Sequence, residues 1–124
     1  MPRILVAEDD EPVRALVARA LLENGHDVMT APDGAAALDI LIQEHGRFDL
    51  LLTDIKMPLM DGIALALATA RDYPDVTILL MTGYADQRER AHGLEALIHD
   101  VIFKPLSVAG IRAAVDKALA RVRA

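Results

Sequence analysis

The 124-residue sequence contains no cysteine. That absence removes disulfides, thiolate nucleophiles and cysteine-ligated zinc together, and it is compatible with a reducing compartment. Serine occurs once, at Ser107, so a serine nucleophile has a single place to sit. Basic residues are in the minority: 13 Lys and Arg stand against 19 Asp and Glu, for a formal net charge of −6. A nucleic-acid surface needs a basic patch to displace counterions, so direct contact with nucleic acid is not expected. Long apolar runs are missing as well. Only four apolar residues follow Met1-Pro2-Arg3, short of the roughly 7–15 in a secretory signal. No stretch approaches the roughly 20 residues that span a bilayer. A cytoplasmic location is expected, with no membrane partner.

What is present is a core-forming composition. Apolar residues make up 53% and charged residues 26% of the chain, enough burial to offset chain entropy in one domain. No repeat, low-complexity tract or linker breaks it, so residues 1–124 are expected to form a single domain. Arg3-Ile4-Leu5-Val6-Ala7 reads as a strand that stops at Glu8-Asp9-Asp10-Glu11. Pro12 suits a first helical turn, Val13, Leu16, Val17, Ala20 and Leu21 recur at helical spacing, and Asn24-Gly25 ends the helix.

This strand-helix unit recurs. Asp27–Thr30 precedes a helix carrying Ala37, Leu38, Leu41 and Ile42 on one face, and Asp49–Thr53 precedes a helix from about Gly62 to Tyr73. Val76–Met81 precedes a helix from about Asp86 to Leu97, with Gly93 inside it. Val101–Phe103 precedes a final helix opened by Ser107, with Ile111, Ala114, Val115, Ala118, Leu119 and Val122 turned inward. Five strands each followed by a helix predict an α/β fold: an open, doubly wound, five-stranded parallel sheet with five helices. A closed eight-fold barrel needs about 200 residues or more. Ligands of open sheets sit beyond the carboxyl ends of the strands.

At those ends the sequence places Glu8 and Asp9, Asp54, Thr82 and Lys104. Each alone has an ordinary reading as a helix cap, loop acid, strand-end hydroxyl or solvated lysine. As a set they suit one site for phosphate and metal. Three gathered carboxylates repel, so a divalent cation is the expected compensation, and oxygen-only ligands favour Mg²⁺ over zinc. The loop after Asp54, Ile55-Lys56-Met57-Pro58-Leu59-Met60-Asp61-Gly62, adds a rigid proline and an Asp-Gly turn.

From Arg3 to about Val122 the chain resembles the receiver domain of two-component response regulators, whose signature is Asp, two variable residues, Met-Pro, one variable residue, Met-Asp-Gly. The resemblance implies a flavodoxin-like, CheY-like fold and a phosphoacceptor rather than an enzyme acting on a separate substrate. It makes Asp54 the acceptor of a phosphoryl group from a sensor histidine kinase or a histidine phosphotransferase. It also implies that Asp9 and Asp54 ligate Mg²⁺ directly, Glu8 acts through water, and Lys56 offers its backbone carbonyl. Thr82 and Lys104 would bind phosphoryl oxygens, and the Lys104-Pro105 bond would be cis. With nothing following Ala124, the expectation is a stand-alone receiver with no output domain, working through a partner protein. Within the family, the segments around Asp54, Met60–Ala66 and Met81–Leu94 are similar to CpdR-type single-domain regulators. That similarity implies a cell-cycle role with output to ClpX and the ClpXP protease; a chemotaxis-type regulator and a phosphorelay intermediate are the rival outputs.

One position departs from the pattern. Receivers often carry Tyr or Phe three residues before the site lysine, and this chain has Val101, so an aromatic switch is not expected there. Phe103 is expected in the core, Tyr84 in a changeable surface loop, and Arg88 and Arg90 on a partner-facing helix. Gly83 is expected to leave the phosphate approach open. His26, His45, His92 and His99 lack ligand spacing and read as surface or loop residues. Rival chemistries fail on pattern. A haloacid-dehalogenase-like phosphatase needs Asp-x-Asp after its first strand, no Gly-x-Ser-x-Gly surrounds Ser107, and no Gly-x-Gly-x-x-Gly follows a strand. A pseudo-receiver that binds partners without phosphate remains a rival, opposed by the complete set Asp9, Asp54, Thr82 and Lys104.

Overall fold

The computed structural model describes residues 1–83, 93, 94 and 96–123, the last three by backbone alone. Strands β1 (Arg3–Ala7), β2 (Asp27–Ala31), β3 (Leu50–Asp54), β4 (Thr77–Thr82) and β5 (Asp100–Phe103) form one sheet in the order β2-β1-β3-β4-β5. Every pairing is parallel. The described helices are α1 (Glu11–Glu23), α2 (Gly34–Gln43), α3 (Gly62–Asp72) and α4 (Val108–Arg123). None of them is long and apolar enough to cross a membrane.

The two-residue period of the strands sorts the core into two sides. Ile4, Val6, Leu50, Leu52, Leu79 and Met81 face α1 and α4, where Val17, Leu21, Ile111, Val115 and Ala118 cover them. Leu5, Ala7 and Leu51 face Ala37 and Leu41 of α2 and Leu65 of α3. Ile78 and Leu80 pack with Ile55 and Ala66, and Val101 joins that cluster from β5. Strand β3 is buried along its whole length because helices cover both faces. Edge strands β2 and β5 are only partly covered.

Side-chain caps set the helix starts. Asp10 accepts from the Val13 amide at 3.2 Å, Asp33 from Ala36 at 2.7 Å, and Asp61 from Ala64 at 2.8 Å. The Ser107 hydroxyl accepts from the Gly110 amide at 3.0 Å at the start of α4, the expected cap. Gly25 follows the α1 terminus with φ +88°, a conformation glycine adopts without steric cost.

Several expectations are corrected. Leu16 and Ile42 are exposed, because each helix meets the sheet along a stripe narrower than its apolar spacing. Phe103 is 50% exposed rather than in the core, since β5 is an edge strand with no neighbour beyond it. His26 is buried between the end of α1 and α4, with its Nε2 3.9 Å from Asp116, rather than on the surface; His99 is partly buried. Gly93 is not inside a helix: its φ of +95° is left-handed, and the Leu97 and Ile98 amides both turn back to the Leu94 carbonyl. Leu94, Ala96 and Leu97 are not helical either, and residues 84–92 and 95, which include Tyr84, Arg88, Arg90, His92 and the rest of the helix predicted from Asp86, lie outside the described residues. The Val122 side chain does too.

Candidate functional site

Strand order reverses between β1 and β3, where β1 leads outward to β2 and β3 leads to β4. A crevice opens beyond the carboxyl ends at such a point. Here it is a cleft of about 560 Å³ lined by Asp9, Asp10, Val13, Asp54, Lys56, Gly83, Lys104 and Pro105. The sheet therefore brings together residues almost a hundred positions apart in sequence.

Asp54 is the last residue of β3 and is buried. Its Oδ1 accepts from the Ile55 amide at 2.8 Å, and its Oδ2 accepts from Lys104 Nζ at 3.1 Å. Its backbone carbonyl accepts from the Thr53 hydroxyl at 2.9 Å. A Cβ on Gly62 would sit 1.9 Å from that carbonyl, so the loop closes on Asp54 only with glycine there. The Gly62 amide ties the loop shut by donating to the Ile55 carbonyl at 2.7 Å.

Glu8 follows β1 and is fully buried. Its Oε1 accepts from Lys104 Nζ at 2.9 Å, while its Oε2 is buried with no hydrogen-bond partner among the described residues. Burial pushes the Glu8 carboxyl up to about 8, helped by the neighbouring Asp54 and opposed by Lys104. Burial acts against the Lys104 charge, but the hydrogen bond to Glu8 and the field of Asp54 outweigh it and raise the Lys104 pKa. Glu8 is raised chiefly by its burial, whereas Lys104 is raised by the two acidic groups that share its ammonium, so the site favours added positive charge.

Oxygen atoms of Glu8, Asp9 and Asp54 lie within 4.8 Å of one another. The orphaned Glu8 oxygen and the all-oxygen donor set fit a hard divalent cation. Asp9 is exposed at the cleft mouth, and Lys56 lines the wall. Thr82 ends β4 fully buried and does not line the cleft, whereas the adjacent Gly83 does. The Lys104 amide donates to the Thr82 carbonyl at 2.8 Å, which locks the ends of β4 and β5 together. The Lys104-Pro105 bond is cis, as expected.

Two contacts had no sequence signal. The Thr53 hydroxyl holds the Asp54 carbonyl, and Arg14 Nη1 donates to the Glu8 carbonyl at 2.8 Å. Neither belongs to a spacing pattern, because a side chain reaching a main-chain oxygen depends on the local turn.

Comparison with known proteins agrees with this geometry. Residues 4–116 match the response regulator receiver domain family. The transcriptional regulatory protein PrrA of Mycobacterium tuberculosis is 38% identical over 122 residues, covering 98% of this chain and 51% of PrrA. The response regulator MprA of Mycobacterium avium is 37% identical, covering 98% of this chain and 50% of MprA. This chain thus spans about half the length of these curated relatives. Among solved structures, the Thermotoga maritima response regulator TrrA in complex with Mg²⁺ and BeF superposes with a TM-score of 0.83 at 29% identity, covering 95% and 99% of the two chains. A Clostridium thermocellum receiver domain protein shares the fold with a TM-score of 0.90 at 22% identity, covering 99% and 98%. With its sheet order, its acidic cleft and this match over nearly its whole length, the chain belongs to the response regulator receiver domain family.

Proposed function

We propose that this receiver accepts a phosphoryl group on Asp54 from a phosphohistidine of a sensor kinase or phosphotransferase. The observation that carries the reading is the contact of part-buried Lys104 with buried Glu8 and Asp54, beside exposed Asp9. A carboxylate oxygen of Asp54 attacks phosphorus, the phosphorus–nitrogen bond to the donor imidazole breaks, and an aspartyl phosphate results. The protein holds the carboxylate in line and neutralises oxygen charge; little else is asked of it. Glu8, Asp9, Asp54 and the Lys56 carbonyl are the residues that would hold Mg²⁺, which supplies positive charge to the transferring oxygens when bound. Lys104 then exchanges its contact with Asp54 for a phosphoryl oxygen. Thr82, buried next to the cleft-lining Gly83, reaches another oxygen once the phosphoryl is in place. Gly83 leaves that approach open: an added Cβ there would meet the Lys104 side chain only at ordinary contact distance, 3.5 Å.

In this reading the chain is a phosphoacceptor that assists its own loading and hydrolysis, in the cytoplasm, and its output is altered affinity for another protein. Its segments from Met60 to Ala66 and from Met81 to Leu94, similar to CpdR-type regulators, favour a protease partner of the ClpX class and a cell-cycle role. Beryllofluoride with Mg²⁺ tests the site. Fluorine NMR should show a bound species with wild type and none with Asp54→Ala; absence of binding to wild type would leave an interaction module without phosphate chemistry. A pull-down with Asp54→Ala and wild type tests the output. Recovery of an AAA+ protease with Asp54→Ala alone supports the protease reading, and equal recovery with both counts against it.

A further inference from the structure

Arg14 makes hydrogen bonds to both chain neighbours of Asp9. Its guanidinium Nη1 donates to the Glu8 carbonyl at 2.8 Å, and its backbone amide donates to the Asp10 carbonyl at 2.8 Å. The β1 ladder ends at Ala7, paired with Ala31 and Thr53, so the Glu8 carbonyl lies beyond the registered strand pairs. The Glu8 amide is fixed from the other side by the Ala31 carbonyl at 3.1 Å. The Glu8-Asp9 peptide plane is therefore held at its carbonyl by Arg14, and the preceding Ala7-Glu8 plane at its amide by β2. Asp10 adds a further restraint by capping α1 through the Val13 amide.

We propose that Arg14 is a positioning residue for the acid pair, orienting the Glu8-Asp9 peptide so that both carboxylates converge with Asp54 on one cation. The inference rests on the reading of Glu8, Asp9 and Asp54 as a divalent-cation site, and adds a residue outside the ligand set. Two physical accounts of Arg14 predict opposite signs. If Arg14 acted only as a nearby positive charge, removing it would tighten cation binding, because like charges repel. If it positions the ligands, removing it weakens binding despite the charge gained in the cation's favour. Loss of an outer contact that orients a ligand typically costs 10–100-fold in metal affinity.

The experiment is calorimetric titration of the intact chain with Mg²⁺ alone. It compares wild type, Asp9→Ala, Arg14→Met, Arg14→Lys and Arg19→Met, each checked for folding by circular dichroism. Arg19 is an exposed cation on the same helix, paired with Glu23 and distant from the cleft lining, and controls for charge. The expected result is about tenfold weaker binding for Arg14→Met, a smaller loss for Arg14→Lys, and no loss for Arg19→Met. Arg14→Met binding as tightly as wild type, or more tightly, overturns the proposal. So does a lowered melting temperature with unchanged Mg²⁺ affinity, which would make Arg14 merely structural. If Arg14→Met does not fold, Arg14→Lys carries the comparison: weakened binding supports positioning and unchanged binding overturns it. Failure of the underlying reading is distinguishable, because wild type itself would then show no binding that Asp9→Ala abolishes.

Discussion

Lys104 Nζ lies 2.9 Å from Glu8 Oε1 although 96 residues separate the two in sequence. The contact joins the end of β5 to the end of β1 across the cleft, and the same ammonium reaches Asp54 at 3.1 Å. One ammonium contacts two buried acidic side chains, which leaves the cleft favourable for a second cation.

The first consequence is a pH dependence of stability. An ordinary Glu titrates near 4.5, whereas burial raises Glu8 to about 8. Between these values the folded chain keeps a proton that the unfolded chain has lost, so stability falls as pH rises through that window. The raised Lys104 pKa adds stability that persists throughout the window and is lost only above it. Urea unfolding in chelator should show a midpoint that declines from about pH 5 to about pH 8. The decline should be absent in Glu8→Gln and diminished by Mg²⁺. A midpoint independent of pH in chelator would contradict the assigned charge state.

Removing Lys104 separates its two roles. Lys104→Ala leaves Glu8 and Asp54 without their ammonium, and loss of these part-buried contacts should cost about 1–3 kcal/mol of stability in chelator at neutral pH. Mg²⁺ binding should tighten, since a competing positive charge is gone, while beryllofluoride binding weakens. Calorimetry checks both arms. Weaker Mg²⁺ binding by this variant would show that Lys104 orders the acids rather than competing with the cation.

Gly62 is a steric requirement. A methyl there would lie 1.9 Å from the Asp54 carbonyl, and that neighbour is backbone at the end of a buried strand. Gly62→Ala should destabilise the domain by about 3 kcal/mol and disturb phosphoryl acceptance together. Denaturant unfolding and acetyl phosphate labelling of the folded variant report the two effects.

A cap outside the cleft lining provides a contrast. Asp33 accepts from the Ala36 amide at the start of α2. Asp33→Ala should cost about 1 kcal/mol of stability and leave Mg²⁺ affinity unchanged. A large loss of Mg²⁺ affinity in this variant would show that α2 is coupled to the cleft.

The sequence was most legible where one physical cause dominates. Strands β1, β3 and β4 are largely apolar runs because helices bury both faces, and the polar residues at their carboxyl ends, Glu8, Asp54 and Thr82, mark the sheet edge directly. Single-sided features were harder to read. Phe103 looks like core by composition, and its exposure follows from β5 having no outer neighbour, which is a property of strand order. Gly93 sits in an apparent helical period, yet its left-handed φ is that of a turn residue rather than a helical one. His26 is covered by α4, ninety residues downstream, near Asp116. Arg14 and Thr53 act on main-chain oxygens, and no spacing rule marks such contacts.

The central claim is that Asp54 is the phosphoacceptor. Incubation with acetyl phosphate and Mg²⁺, followed by mass spectrometry under conditions that preserve acyl phosphates, tests it most directly. The expected result is a mass gain of one phosphoryl group that maps to Asp54, requires Mg²⁺ and disappears in Asp54→Ala. No gain in wild type, or an equal gain in Asp54→Ala, would contradict it.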